Sequence, residues 1–340
     1  MPQSIPLISQ SSNSAAFRGY RRLGSTDLQV SVIGFGASPL GDVFGIANPE
    51  EAMRTVHLAI DEGINFFDVS PYYGLTLAEE RLGKALEGRR REIVLSTKCG
   101  RYGAEEFDFS AQRVRHSIEQ SLRRLRTDFI DLFNVHDVEF GNLEQIIGET
   151  IPTMRRLQEE GKTRYIGISG YPIGVLMRIA KAVPVDTIMS YCHYNLLVDD
   201  IGQALIPFAK ARGIGVINAS PLHMGMLTEQ GAPEWHPAPS QVHYAARQAA
   251  EFCKSHGANL SDVALRFCVE YSRVATTLVG MSTTQQLYQN LGTLRGSIEP
   301  EILQQVRAIL APVHNTLWPS GSQENYCIDG NSELLQRNSE

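Results

Sequence analysis

The stretch GINFFDVSPYYG, residues 63–74, is the one from which the rest of the chain can be read. Gly63 ends a helix, residues 65–69 form a short apolar strand, and Ser70-Pro71 breaks it. Asp68 therefore sits at the C-terminal end of a strand, and Tyr73 lies in the loop beyond. In parallel α/β proteins that is the end at which ligands bind. A carboxylate in an apolar strand needs a cation as partner. A tyrosine hydroxyl, with an ordinary pKa of about 10, works as an acid/base near neutrality only if a cation lowers that value. The stretch thus predicts a buried Lys or Arg on a neighbouring strand.

Outward from it, the apolar pattern alternates between strand and helix periods. Strands are expected at 32–37, 65–69, 92–98, 129–135, 165–169, 187–192, 214–219 and 275–279. Helices are expected at 50–62, 78–86, 110–126 (with Ser110 as N-cap), 143–160, 175–182, 201–211 and 285–294. Two further helices, 245–255 and 260–271, precede the last strand, and another, 300–310, follows it before an irregular tail. A Gly-Ser-Thr-Asp turn within 22–31 suggests a small hairpin ahead of the first strand. Eight strand–helix units with short connections and no dividing linker favour a closed (β/α)8 TIM barrel, with an N-terminal hairpin and extra C-terminal helices, over an open sheet. One domain is expected over 20–321, with a disordered extension at 1–19 and a flexible tail at 322–340.

Composition narrows the function. A net charge of −6 over 340 residues gives no basic footprint for nucleic acid. No apolar run approaches the ~20 residues of a membrane span. The five cysteines (Cys99, Cys192, Cys253, Cys268, Cys327) are odd in number and scattered, which argues against a disulfide framework or a metal site and for the cytoplasm. The Ser-rich segment before Arg22 also leaves an organelle-transit reading open. Monomer and dimer are both open.

The strand ends supply the chemistry. Lys98 ends the third strand beside Asp68 and is the expected cation; it would stabilise the ionised form of Tyr73. His136 follows the fourth strand and could donate to, or accept from, the same reacting oxygen. Each of these residues alone has an ordinary structural explanation. Four compatible groups at three adjacent strand mouths form a catalytic set.

This set, in this order, resembles the tetrad of the aldo-keto reductases, (β/α)8 oxidoreductases that use a nicotinamide cofactor. The likeness extends to the sugar-oxidising members through GFGASPLG (34–41), NFFD (65–68), TKCGRY (97–102), SYCHY (190–194), LTEQG (227–231) with PEWHP (233–237), VGMS (279–282) and WPSG (318–321). There is no Gly-x-Gly-x-x-Gly fingerprint; the resemblance implies a cofactor lying across the barrel mouth. It places Gly36, Ala37, Ser38 and Asp68 along the cofactor, and Ser169 and Gly170 at the nicotinamide carboxamide. Gly170 stands where many relatives have Asn, and Tyr191 where many have Gln. Ala219 replaces a common stacking aromatic, so the face contact is either weaker or comes from elsewhere, with Tyr191 a candidate. Ser220, Leu222 and Met224 would cover the pyrophosphate, and Gly280, Ser282, Gln286 and Asn290 would meet the adenosine. With no cation there for a 2′-phosphate before Arg295, NAD is expected over NADP.

The implied reaction is oxidation of a sugar, L-galactose first, at C1 to its 1,4-lactone, a step of ascorbate formation. Tyr73 takes the hydroxyl proton and His136 orients the sugar. Asp137, Arg101, His193 and Tyr102 are candidate sugar contacts, each equally readable as a loop or cofactor residue. Trp318 either closes over the sugar or packs, and Tyr72 is either pocket wall or core. Other aldoses (L-fucose or D-arabinose type), an NADPH-dependent carbonyl reductase, and a nucleotide-keeping binding module stay as alternatives.

Overall fold

The computed structural model describes residues 19–295 and 297–326; residues 1–18 and 327–340, most of the expected extension and tail, lie outside the described residues. β1 (Tyr20–Arg22) and β2 (Gln29–Ser31) form an antiparallel hairpin. β3 (Ile33–Gly36), β4 (Phe66–Asp68), β5 (Val94–Cys99), β6 (Ile130–Val135), β7 (Thr163–Gly170), β8 (Thr187–Tyr191), β9 (Gly215–Ala219) and β10 (Thr276–Gly280) follow. These eight are parallel and close in the order β10-β3-β4-β5-β6-β7-β8-β9. The (β/α)8 barrel is therefore the fold, and each expected strand falls within two residues of an observed one.

β5 and β6 are buried along their whole length, as strands covered by helices on one side and by the barrel interior on the other must be. The helices begin where side chains satisfy their free N–H groups. Asn48 accepts from Glu50 and Glu51 at Pro49–Asp61, and Ser110 accepts from Arg113 at Ala111–Arg124. The latter buries Val114, Ile118 and Leu122 as one stripe.

Four expectations shift. Residues 143–160 are helical but pass through a π turn at Ile146–Thr150, because Pro152 has no N–H and its ring crowds the carbonyl four residues back. The helix expected from 201 is a 3-10 turn, Asp200–Gly202, with the α-helix starting only at Leu205. The helix expected from 245 begins at Ser240, its first turn disguised by polar residues around the buried Val242. The segment after 321 carries a short helix, Gln323–Tyr326, whose buried Asn325 donates to the carbonyls of Glu139 and Gly141. No helix among the described residues is long and apolar enough to cross a membrane.

The hairpin plugs the N-terminal end of the barrel. Leu23, Leu28 and Val30 pack with Phe66, Val94, Leu132 and Ile217. Its turn touches β9 so closely that a Cβ on Gly24, at φ +59°, would lie 2.3 Å from the Gly215 nitrogen. Chemistry sits at the opposite end, so the two ends separate stability from activity. Leu23→Ala should cost about 2–5 kcal/mol, read as a lower urea midpoint, while kcat/KM of the folded fraction stays near wild type.

Candidate active site

Asp68 closes β4, and register sets it beside Ser96 of β5. Two residues on, Lys98 points to the same mouth and pairs in register with Asn134 of β6. The Lys98 ammonium donates to Asp68 Oδ2 at 2.5 Å, to the Val69 carbonyl at 3.0 Å and to the Tyr73 hydroxyl at 3.2 Å. Ser96 donates to the other Asp68 oxygen at 2.7 Å and is itself bonded by Asn134 at 3.1 Å. Burial raises Asp68, opposed by Lys98 and Ser96. Burial also works against the charge on Lys98, but Asp68 and Tyr73 outweigh it and hold the ammonium above its usual range. The pair keeps its proton on nitrogen.

Tyr73 departs from expectation. Burial pushes its hydroxyl above the ordinary value, and Lys98, whose charge Asp68 largely cancels, does not reverse that. Tyr73 is therefore protonated at rest near neutral pH, contrary to the lowered pKa the sequence suggested. Its loop is tightly fixed: a Cβ on Gly74, at φ +63°, would stand 2.2 Å from the Gly41 carbonyl oxygen. Leu75 and Thr76 follow at φ +49° and +85°, positions that are strained for non-glycine residues.

His136 faces Tyr73 edge-on, ring centres 5.6 Å apart. Its Nδ1 lies 3.0 Å from Ser70 Oγ, which accepts the Tyr72 N–H. The Ser70 hydroxyl can give its hydrogen to Nδ1, and in that tautomer the imidazole hydrogen sits on Nε2, on the side of Asp137. Burial, with Lys98 and Arg101 nearby, lowers His136 to about 3 against the pull of Asp137. The ring is neutral, with one nitrogen a donor and the other an acceptor.

Asp137, 3.7 Å from His136 Nε2, is held by Arg101 at 2.6 Å. Arg101 stacks over Tyr72 at 3.9 Å and donates to its hydroxyl at 3.2 Å. Tyr72 is thereby a wall of the pocket. Tyr102 is buried and bonded to the Gly100 N–H, away from this mouth group. His193 and Trp318 do not join it through any contact among the described residues. Trp318 is buried, stacked on Tyr171 at 4.5 Å and edge-on to His223 and His236. His193 packs on Tyr171 and bonds Asp200 at 2.8 Å. For Trp318 these contacts agree with the packing alternative; His193 Nε2 is buried with no hydrogen-bond partner among the described residues.

The residues expected along a cofactor line the same end of the barrel. Gly36, at the end of β3, has its Cα against the Val279 carbonyl, where a Cβ would lie at 3.1 Å; a Cβ on Gly280 would lie 3.1 Å from Pro39. Ala37 is buried and donates its N–H to the Asp68 carbonyl; Ser38 is half-buried. Ser169 gives its hydroxyl hydrogen to the Val135 carbonyl at 3.1 Å, leaving lone pairs only. Tyr191 bonds Glu139 at 3.2 Å. Ala219 ends β9, and the loop after it is strained, with Ser220, His223 and Met224 at φ +56°, +49° and +51°; Leu222 is half-buried between them. Ser282 and Gln286 flank the start of helix Thr284–Gly292, and Asn290, farther along it, donates to Met281 Sδ at 4.0 Å. Gln286 Oε1 already accepts from Ser282 and Thr283 in a capping box, so only its amide nitrogen can meet a ligand. Unpartnered acceptors and a strained loop around one mouth fit a dinucleotide. Ser70, Ser96, Asn134 and Glu139 complete the site; their only sequence signal was a polar residue in an apolar run.

A family model, "Aldo/keto reductase family", matches residues 32–311. The L-galactose dehydrogenase of Arabidopsis thaliana is 48% identical over 315 residues, covering 90% of this chain and 98% of that one. The D-threo-aldose 1-dehydrogenase of a Pseudomonas species is 30% identical over 77% of this chain and 89% of its own length. A solved aldo-keto reductase of Bacillus halodurans, in its holo form, superposes with a TM-score of 0.71 at 27% identity, covering 91% of this chain and 99% of that one.

Removing one partner of the buried pair isolates the other charge. Asp68→Ala should lose about 3–5 kcal/mol of stability in urea melts at pH 7. Adding Lys98→Met should restore part of that loss while activity stays abolished; additive losses would contradict the pairing.

Proposed function

The chain belongs to the aldo/keto reductase family, and we propose that it is a cytoplasmic NAD-dependent aldose 1-dehydrogenase that takes L-galactose to its 1,4-lactone. The observation that carries this is Lys98 bonded at once to Asp68 and Tyr73, with a neutral His136 beside them. The choice of sugar and the link to ascorbate formation rest on the 48% identity to the plant L-galactose dehydrogenase. Cys99, Cys192, Cys253 and Cys268 are buried and unpaired, in keeping with a reducing compartment.

When bound at this mouth, NAD would supply the acceptor for the hydride leaving C1. The chain's residues do the rest. Tyr73 in its ionised form removes the proton of the C1 hydroxyl, and the ammonium of Lys98, 3.2 Å away, stabilises that form. His136 donates Nε2–H to the same oxygen and fixes its position. Asp137, clamped by Arg101, accepts from sugar hydroxyls next to His136. The resting protonation of Tyr73 equally suits the reverse reaction, carbonyl reduction, so cofactor choice separates the two readings.

For that choice the support is Glu51. Its carboxylate accepts from the Thr284 N–H at 2.9 Å and the Thr284 hydroxyl at 2.7 Å, and Arg54 pairs with its other oxygen at 2.5 Å. A helix N-terminus attracts anions. Here the chain's own carboxylate fills it and engages Arg54, so a 2′-phosphate would find neither the helix N-terminus nor a free cation.

Because ionised Tyr73 is scarce at neutral pH, kcat/KM for L-galactose with NAD should rise about tenfold per unit between pH 7 and 9. Tyr73→Phe should lose a factor of about 10² to 10⁴. If wild type reduces NAD with neither L-galactose nor another aldose, the proposal fails. Glu51→Gln should narrow the preference for NAD over NADP about tenfold; an unchanged ratio of kcat/KM values would remove Glu51 from cofactor choice.

A further inference from the structure

The layer of the barrel interior beneath Asp68 and Lys98 is polar. Ser96 of β5, Asn134 of β6 and Thr187 of β8 are all fully buried. Two residues deeper on β4, β5 and β6 stand Phe66, Val94 and Leu132, part of the apolar cluster around the hairpin. Barrel layers are ordinarily filled by branched apolar side chains, and a buried polar group needs a partner. The reaction described above gives none of these three a direct part.

Their hydrogen bonds form one directed row. Asp68 as a carboxylate only accepts, so Ser96 gives it the hydroxyl hydrogen, at 2.7 Å. The lone pairs of Ser96 then take a hydrogen from the Asn134 amide at 3.1 Å. The amide oxygen of Asn134 is left to accept from the Thr187 hydroxyl, at 3.4 Å the longest link. Every hydrogen in the row therefore points toward the charge on Asp68. Donors aligned in this way polarise one another and stabilise the anion at the end of the row.

The backbone makes room for it. β7 lies between β6 and β8, and its Gly167 is in register with both Asn134 and Thr187. A Cβ there would stand 2.1 Å from Thr187 Oγ1 and 2.2 Å from Asn134 Oδ1. Gly167 is not among the residues at positive φ, so the crossing of the row, not the backbone angle, calls for glycine.

The charges around Tyr73 show what the row acts on. Lys98 favours ionisation of the hydroxyl, and Asp68 and Asp137 each oppose it more weakly. His136, edge-on, is neutral, and Arg101 is engaged by Asp137 and Tyr72. Deprived of Ser96, the buried carboxylate would draw harder on the proton it shares with Lys98. The ammonium would then do less for the Tyr73 anion.

We propose that Ser96, Asn134 and Thr187 form a hydrogen-bonded row that holds the negative charge on Asp68 and, through it, keeps Lys98 an effective cation for Tyr73. Ser96 and Asn134 are then positioning residues for the proton step. This rests on the reading of Tyr73 as the acid/base.

The test reads Tyr73 itself. A difluorotyrosine in its place ionises at lower pH than tyrosine, and fluorine NMR follows that one hydroxyl in the full chain without cofactor or sugar. Its titration midpoint should lie about one pH unit higher in Ser96→Ala than in the otherwise native chain. Asn134→Leu, an apolar exchange of similar size, should move it the same way by less. Ser96→Thr, which keeps the hydroxyl, should restore it. With natural tyrosine, kcat/KM for L-galactose at pH 7 should fall about tenfold in Ser96→Ala and recover in Ser96→Thr, while the dissociation constant of NAD stays unchanged. A midpoint unmoved or lowered in both Ser96→Ala and Asn134→Leu overturns the role of the row. So does a Ser96→Thr midpoint displaced as far as that of Ser96→Ala. If Ser96→Ala does not fold, Asn134→Leu decides alone, a rise supporting the row and no rise overturning it. If the protein oxidises no aldose, the proposed function falls while the titration still decides the row.

Discussion

The ion pair between Asp68 and Lys98 is the constraint on which the rest of the site depends. Two charges withdrawn from water are stable only if geometry is good and their remaining valences are met. Ser96 meets one carboxylate oxygen, and the Val69 carbonyl and the Tyr73 hydroxyl take ammonium hydrogens. Those partners come from β4, β5 and the loop between them, so the pair holds its shape only in a closed barrel with this register. The pair is close to neutral as seen from Tyr73. That is why burial wins and the phenol stays protonated at rest.

The same balance gives His136 its character. Its Nδ1 is taken by Ser70, and the cations of Lys98 and Arg101 lie near enough to resist a third positive charge. A neutral donor and a phenol held by an ammonium can share one oxygen without repelling each other. Around them the backbone is strained at Leu75 and Thr76 after Tyr73, and at Ser220, His223 and Met224 on the far rim. Such conformations persist because the packing beneath them over-determines the loops. For Tyr73 that packing is the glycine-to-glycine contact of Gly41 and Gly74.

Much of this was legible in the chain. Strand and helix periods are local, so the eight units could be counted, and strand-end positions follow from the count. Asp68 and Lys98 could be paired because consecutive strands in such a barrel are neighbours. What was not legible depends on sums over distant groups. The sign of the Tyr73 shift is a difference between burial and two opposed charges. Glu51 meets Thr284 across 233 residues, which no local pattern announces. Trp318 and His193 sit at suggestive positions, but their surroundings, Tyr171, His223 and Asp200, come from separate loops. Glu139 is packed by Gly170 and by the C-terminal segment, contacts that no local pattern announces.

The seam of the barrel has a consequence for how the chain acquires this structure. β3, the first barrel strand, pairs with β10, and both belong to opposite ends of the sequence. Arg21, in the hairpin beneath, donates to the carbonyls of Val269, Tyr271 and Val274, all just before β10. During synthesis the outer edge of β3 therefore stays unpaired until nearly the whole chain has emerged. An open edge of that kind invites pairing with other chains, and long-range closure is slow because its loop entropy must be met first. The last ring of hydrogen bonds to form is also the one that removes the edge, so completion of folding and protection from aggregation arrive in a single late step.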